Sequence, residues 1–260
     1  MSYETIGLAI EDGVALLTFR RPEKLNALTP GLFVEAMTAI ETALAAGARA
    51  LVITGEGRAF SSGADLTGDG AEGLPADLGE IIDKAYNPFA RTLASLDIPV
   101  VTAVNGPAVG AGCGFALSGD IVVMARSAYL LLSFVNIGLV PDAGATWMVA
   151  KSAGRAKALE MALLGEKMSA QEAHDAGLVA RVVDDEAVLD EAMAIARRLA
   201  AGPTVAIGLI RKQVAAALTA SFGQTLDIER DNQAQAGRTA DFREAVTAFA
   251  MKRPPVFRGS

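Results

Sequence analysis

The chain has few side chains of the kinds that build metal centres, disulfides or nucleic-acid sites. One cysteine and one histidine occur in 260 residues. A single cysteine excludes an internal disulfide and fits a reducing compartment, and a single histidine leaves no set of partners for a histidine zinc site or a Ser–His–Asp triad. Basic residues are outnumbered by acidic ones, with a net charge of −7. This charge disfavours nucleic acid as a partner.

Long uninterrupted apolar runs are also lacking. The longest apolar stretch, near residues 98–117, is broken by Asn105, Pro107 and several glycines. Such a stretch is a poor membrane span, and the first residues lack the basic-then-apolar pattern of a secretory signal. We therefore expect a cytoplasmic protein with no membrane partner.

Apolar residues make up 52% of the chain, which is enough for a sizeable core. Apolar runs of strand length alternate with helical patterns as far as about residue 185, which predicts an α/β fold with largely parallel strands. Helical patterns then dominate, so we divide the chain into a core, 1–195, and a C-terminal helical oligomerisation region, 196–260. Strands are predicted at 5–10, 13–19, 50–54, 98–104, 121–125, 129–132 and 178–183, and earlier helices at about 29–46 and 80–95.

Two runs of small residues follow predicted strands. Residues 60–66 follow the strand at 50–54, and residues 105–114 follow the strand at 98–104. Small side chains leave backbone N–H groups accessible, and two such runs at helix starts could converge on an oxygen that gains negative charge. The alternative is that glycine and alanine here only allow close packing of helix on strand.

Several other kinds of site do not fit the residues present. The spacing Gly110-Ala111-Gly112 is followed three places on by Phe115, so the glycine pattern of a dinucleotide site fails. His174 lies in a polar segment typical of a solvated helix face, and Cys113, among glycines, fits a small core residue better than a nucleophile.

Three aspartates lie beside small or turn residues: Asp65, Asp120 and Asp142. Asp65 and Asp120 are expected to order loops. Asp142 lies in the segment 138–144, between an apolar stretch and a predicted helix start, so it is a candidate for either a helix N-cap or a catalytic carboxylate.

Several short segments match a known family in their order and spacing. They are 21–28, 60–66, 98–106, 110–112, 137–144, 177–179 and 252–257. With them the chain resembles the enoyl-CoA hydratase/isomerase (crotonase) superfamily along almost its whole length. The resemblance implies a crotonase-like spiral of ββα units with a C-terminal helical region, assembled as a homotrimer or a hexamer. It also implies an acyl-CoA thioester as substrate and no separate cofactor or metal.

The resemblance also implies a site. The backbone N–H groups of Ala64 and Ala111 would form an oxyanion hole, and the loops 22–27 and 60–66 would hold the CoA nucleotide. Lys24 would meet a phosphate, as would Lys252 and Arg253 from a neighbouring subunit. The predicted substrate-binding residues are Lys24, Leu25, Ala27, Ser62, Gly63, Asp65, Leu66, Gly110, Phe134 and Leu139.

Departures from the family pattern indicate the reaction. Hydratases of this family use two glutamates, and the matching positions here are Gly114 and Phe134. General acids and bases of this kind typically contribute about 10²–10⁴-fold each, so efficient hydration is disfavoured. Asp142 matches the acidic residue of the double-bond isomerases. Its setting is most similar to the ring-epoxide isomerases of phenylacetate degradation, and Phe134 would wall a drier pocket.

The sequence therefore predicts an isomerase that shifts a double bond, or isomerises a ring epoxide, with one aspartate base. Three alternatives stay open. They are a hydratase with an unusual base, an aryl-CoA dehalogenase-like hydrolase, and a non-catalytic CoA-binding or RNA-associated protein. The dehalogenase-like enzymes add an aromatic cage and a histidine before the second strand, and neither is evident here. The segment 67–90, with its glycine-rich and mobile first half at 67–79, is expected to shape the acyl pocket.

Overall fold

The computed structural model describes residues 3–66 and 77–260. Within them, a six-stranded sheet has the order β1-β2-β3-β4-β6-β9, in which β1 and β2 are antiparallel and every other neighbouring pair is parallel. The α/β prediction is confirmed. The strands of this sheet are β1 (Ile6–Glu11), β2 (Val14–Phe19), β3 (Ala50–Gly55), β4 (Val100–Val104), β6 (Ile121–Ala125) and β9 (Arg181–Val183).

Local chemistry explains the first elements. The β1–β2 hairpin turns at Asp12 and Gly13, which both have positive φ, as a tight two-residue hairpin turn requires. The first helix, α1 (Pro30–Ala45), begins where predicted. The Thr29 side chain accepts a hydrogen bond from the backbone N–H of Leu32, and a proline occupies the first turn. Strands β3 and β4 are buried throughout because helices cover both faces of a parallel sheet.

A second sheet of three short strands lies near the second small-residue run. It has the order β5-β7-β8, in which β5 and β7 are parallel and β7 and β8 antiparallel. Only β7 was predicted, since β5 and β8 contain two residues each and carry no periodic signal. The strands are β5 (Ala108–Val109), β7 (Tyr129–Leu131) and β8 (Met168–Ser169).

The predicted helix at 80–95 is interrupted. It consists of α2 (Leu78–Ile81), a π-helical turn (Ile82–Tyr86) and α3 (Asn87–Ser95). A π turn inserts one extra residue per turn and rotates the side chains that follow it. Residues 67–76 of the stretch that was expected to be mobile lie outside the described residues.

The helices that follow begin beside the second small-residue run. Short 3₁₀ turns also occur at Pro22–Lys24, Ser133–Ile137 and Asp185–Ala187. The helices are α4 (Ala111–Leu117), α5 (Ala145–Ser152), α6 (Gly154–Leu164), α7 (Ala170–Asp175), α8 (Val188–Ala200), α9 (Thr204–Ala217), α10 (Phe222–Ala236) and α11 (Ala240–Ala250).

Helix α8 packs against β2, β3, β4 and β6. The predicted boundary between residues 195 and 196 falls inside this helix, and the division into a core and an oligomerisation region stays a prediction. The last residues fold back onto α11. The Asp241 carboxylate accepts hydrogen bonds from the backbone N–H groups of Arg258 and Gly259 at 2.7 and 2.8 Å.

No single helix among the described residues has the length and apolar character needed to cross a membrane. The segments Asp185–Ala200 and Thr204–Ala217 reach that length and composition only as a pair, bent by 112°.

Candidate active site

Two loops predicted to meet are joined by a buried asparagine. Asn26 has no exposed surface, and its positive φ of 56° turns the chain back on itself. Its side-chain amide donates to the carbonyls of Glu56 and Ala59 at 2.9 and 2.8 Å, and its side-chain oxygen accepts from the backbone N–H of Arg21. The loop 22–27 is therefore fixed against the segment that follows β3.

Ala64 lies beside Leu28 in a parallel bridge that uses the groups on either side of it. The Leu28 N–H donates to the Gly63 carbonyl at 2.8 Å, and the Asp65 N–H donates to the Leu28 carbonyl at 2.9 Å. Successive N–H groups of an extended chain point to opposite sides, so the Ala64 N–H faces away from Leu28. Within residues 3–66 and 77–260 it has no protein acceptor.

The first small-residue run lies against the second. The Val109 N–H donates to the Ser61 carbonyl at 2.9 Å. A Cβ atom added to Gly63 would lie 2.8 Å from the Val109 carbonyl oxygen and 3.5 Å from the Gly110 Cα. Both glycines have positive φ, 87° and 55°. Glycine is therefore required at both positions, by close approach at Gly63 and by conformation at each.

The second run also carries a backbone N–H without an intrahelical partner. Gly110 is the N-cap of α4, so Ala111 is its first residue and its N–H lacks an intrahelical carbonyl. The packing interpretation of the small-residue runs is confirmed by the close approach of Gly63 to Val109 and Gly110. That the N–H groups of Ala64 and Ala111 form an oxyanion hole stays a prediction.

Arg21 holds the Ala64 segment from outside. Its guanidinium donates to the Asp65 carboxylate at 2.8 Å and to the Ala27 carbonyl at 2.6 Å. Both side chains of the ion pair are largely shielded from solvent. Ala27 precedes Leu28 and Asp65 follows Ala64, so the Arg21 guanidinium holds both segments of the Leu28–Ala64 bridge. Asp65 thus orders its loop, as the sequence indicated.

Asp142 does not cap a helix. The N-cap of α5 is Gly144, and no side chain caps this helix, so the N-cap interpretation of Asp142 is wrong. Its Oδ1 atom is fully enclosed without a hydrogen-bond partner in the described residues. Burial raises the pKa of the Asp142 carboxyl from 3.8 to about 6, and its own backbone N–H opposes this rise. A half-buried, unpaired carboxylate with such a pKa is suited to proton transfer at neutral pH.

The two positions that lack the hydratase glutamates differ in the space around them. A Cβ atom added to Gly114 would lie 2.8 Å from the carbonyl oxygen and 2.9 Å from the Cβ of Ala143. The residue after Asp142 therefore occupies the space that a side chain at 114 would need. Phe134 is 7% exposed and lies beside Gly110, whose added Cβ would be 3.9 Å from its Cζ.

The remaining predicted binding residues lie in and around the same loops. The Ser62 N–H donates to the Leu25 carbonyl at 2.9 Å, and the Ser62 hydroxyl donates to the Lys24 carbonyl at 3.2 Å. Leu66 and Leu139 are exposed, at 47% and 39%. The structure brings the segments 24–28 and 61–65 together, and their contact with CoA stays a prediction.

The predicted C-terminal phosphate contact already has a partner within the chain. Arg253 pairs with both carboxylate oxygens of Glu244, at 2.6 and 2.9 Å. Its contact with a phosphate, and that of the neighbouring Lys252, stay predictions.

Two side chains set aside by the sequence analysis lie where it expected. His174 is exposed on α7. Cys113 is fully buried, and burial raises the pKa of its thiol to about 12, so it is not a nucleophile near neutral pH. In the described part of the chain, no three His, Cys, Asp or Glu side chains are grouped as a metal site.

Tyr86 is a site residue that the sequence did not single out. It ends the π-helical turn, is 3% exposed, and packs its ring on Phe33 and Phe115. Burial raises the pKa of its hydroxyl, and the negative charges of Asp142 and Asp65 raise it further. It lies in the segment 67–90, which the sequence analysis expected to shape the acyl pocket. That expectation is the only sequence signal that points to Tyr86.

Sequence similarity to known proteins identifies the family of this chain. Residues 9–260 match the model of the family Enoyl-CoA hydratase/isomerase. The 1,2-epoxyphenylacetyl-CoA isomerase of Escherichia coli is 44% identical over 96% of this chain and 97% of its own. A protein of Rhodobacter capsulatus named "Probable enoyl-CoA hydratase" is 42% identical over the full length of both chains.

A solved structure extends the agreement to the fold. The crystal structure of an enoyl-CoA hydratase from Polaromonas superposes with a TM-score of 0.91 at 33% identity, covering 97% of this chain and 99% of that one. The expected fold is therefore confirmed, and this chain belongs to the enoyl-CoA hydratase/isomerase family.

Proposed function

We propose that the protein is an enoyl-CoA isomerase in which Asp142 is the proton-transferring base. The observation that carries this proposal is the enclosed, unpartnered Oδ1 atom of Asp142. A buried polar atom without a partner is rare, and here it leaves the carboxylate without a hydrogen bond at Oδ1 that would lower its basicity. The Ala64 and Ala111 N–H groups supply the other half of the chemistry.

The reaction needs one base and no water. Asp142 takes the proton from the carbon next to the thioester carbonyl, and the electron pair of that C–H bond moves into an enolate. The enolate oxygen accepts hydrogen bonds from the N–H groups of Ala64 and Ala111. Asp142 then returns the proton two carbons further along, and the double bond moves by one position. The base ends as the carboxylate from which it began.

We further propose that the acyl groups accepted include a ring epoxide. The name of the Escherichia coli relative supports this substrate. The name of the Rhodobacter relative supports hydration instead. Hydration is the weaker candidate because positions 114 and 134 carry no carboxylate, and a side chain at 114 would meet the turn that bears Asp142.

A panel of purified CoA thioesters tests the assignment. Loss of the conjugated thioester absorbance reports hydration, its appearance from a 3-enoyl-CoA reports isomerisation, and mass spectrometry in D₂O shows where a proton was exchanged. We expect isomerisation with deuterium incorporated at the carbon next to the thioester carbonyl, at the carbon two positions further along, or at both. Rapid hydration of short 2-enoyl-CoA without isomerisation would contradict the proposal.

We also propose self-association as a homotrimer or hexamer. Large apolar side chains are exposed on the C-terminal helices, including Phe222 at 80% and Phe249 at 87%. Solvent-exposed apolar surface of this kind is typical of a subunit interface. Size-exclusion chromatography with light scattering measures the state directly, and a monomer would contradict this proposal.

A further inference from the structure

The Tyr86 ring is held in one position. Its centroid lies 4.7 Å from that of Phe33 in an edge-on arrangement and 6.5 Å from that of Phe115 in a stacked one. Phe33 and Phe115 are themselves fully buried. Phe115 follows Gly114, which lies against Ala143, so the ring belongs to the same wall as the turn that bears Asp142.

The Tyr86 hydroxyl has no hydrogen-bond partner in residues 3–66 and 77–260, although the ring is buried. Tyr86 keeps 3% of its surface exposed, so its side chain is not completely closed off from solvent. A buried tyrosine usually pairs its hydroxyl, so an unpaired one is unusual.

Burial and the negative charges of Asp142 and Asp65 all raise the pKa of the Tyr86 hydroxyl. Asp142 is the proposed base, and Asp65 follows Ala64, the proposed oxyanion donor. The oxygen therefore keeps its proton at neutral pH, which makes Tyr86 a hydrogen-bond donor.

We propose that Tyr86 determines specificity by donating a hydrogen bond to an oxygen atom carried by the acyl group. The thioester oxygen already has the two backbone donors, and a hydrocarbon acyl chain would leave the hydroxyl unpaired. Sites built to hydrogen-bond a substrate group discriminate against analogues that lack it. The preferred substrates are therefore acyl-CoA thioesters with an ether or epoxide oxygen near the reacting carbons. This inference rests on the proposed function and names its substrate class.

The test compares two saturated esters that differ in one atom. Tetrahydrofuran-2-ylacetyl-CoA carries a ring oxygen on the second carbon from the carbonyl, and cyclopentylacetyl-CoA has a methylene in its place. Their dissociation constants are measured by calorimetry for the wild type and for Tyr86→Phe, which retains the ring packing. Tyr129→Phe, which removes a hydroxyl from a tyrosine in β7, is the matched control.

We expect Tyr86→Phe to weaken binding of the oxygen-bearing ester relative to the carbocyclic one by about fivefold, the typical net effect of one hydrogen bond. Tyr129→Phe should leave the ratio unchanged. An unchanged ratio in Tyr86→Phe, or an equal loss of both esters, would overturn the proposal. Neither ester has a double bond to move, so an absence of isomerase activity would refute the proposed function and leave this comparison intact.

Discussion

Replacement of Asp142 by asparagine should stabilise the fold and abolish most of the proposed activity. Asparagine keeps the shape of the side chain and removes its charge. The rise in the pKa of Asp142 from 3.8 to about 6 corresponds to roughly 3 kcal/mol of preference for the protonated form in the folded state. Because the side chain retains some exposure and an amide is also polar, we expect Asp142→Asn to raise the free energy of unfolding by about 1–2 kcal/mol near pH 8.

The pH dependence of this gain has a defined sign. The pKa of Asp142 is higher in the folded state than in the unfolded chain, so the ionised carboxylate destabilises the fold above pH 6. As the pH falls from 6 towards 4, the wild type binds a proton in the folded state and the penalty disappears. Asp142→Asn should therefore be more stable than wild type near pH 8 and equal to it near pH 4.

Thermal unfolding of the two proteins without ligand, at both pH values, measures the difference. For a chain of this size, about 1 kcal/mol shifts the midpoint by roughly 2–4 °C. A variant that is less stable than wild type near pH 8 would show that the carboxylate has a partner in solution, and would refute the reasoning.

Activity provides the second measurement on the same variant. Isomerisation should fall by about 10²-fold or more, because the amide cannot accept the proton. In the wild type, kcat/KM should rise with pH through about 6 as the carboxyl ionises. Affinity for a saturated acyl-CoA should change little, since the oxyanion donors are untouched. Near-normal isomerisation by Asp142→Asn would exclude Asp142 as the base.

Three further predictions concern other features. Ala64→Pro removes the N–H that we propose as an oxyanion donor, so turnover should fall by about 10²–10³-fold while circular dichroism shows that the fold is retained. Ala64→Gly keeps the N–H and should remain active, and an active proline variant would exclude this donor. Gly114→Glu should lower the free energy of unfolding in denaturant titrations by about 1–3 kcal/mol, because its Cβ would collide with Ala143. It should also create no hydratase activity, and a stable variant that hydrates 2-enoyl-CoA would contradict this prediction. Phe249→Asp should reduce the oligomer seen by light scattering if α11 contributes to the subunit interface, whereas an unchanged mass would place the interface elsewhere.

Local signals predicted much of the fold. The Asp12-Gly13 turn and the Thr29 N-cap each depend on a few neighbouring residues, so their positions are readable in the sequence. The buried parallel strands β3 and β4 are likewise short apolar runs. The π-helical turn that ends at Tyr86 was not predicted, because the apolar pattern of five residues is too short to distinguish a π turn from an α-helix.

The candidate site could be predicted in its parts but not in its assembly. The small-residue runs and Asp142 were identified from the sequence, and the structure corrects the N-cap interpretation because Gly144, two residues later, occupies that position. The contact between Gly114 and Ala143 joins residues far apart in the chain and leaves no periodic or compositional trace. The proposed role of Tyr86 depends on its burial near two aspartates on separate loops, which only the folded chain brings near it.

The close approach of Gly114 to Ala143 also limits how this sequence could change its chemistry over generations. A glutamate that enters at position 114 as a first step displaces the neighbouring turn, because the backbone carbonyl of Ala143 lies 2.8 Å from where its Cβ would be. The turn at 141–144 would have to be remodelled beforehand, and that turn carries Asp142. In this chain, a change to hydration by a glutamate at position 114 therefore passes through intermediates in which proton transfer by Asp142 is already impaired. Single substitutions at position 114 are thus expected to lose the proposed isomerase activity without gaining hydratase activity.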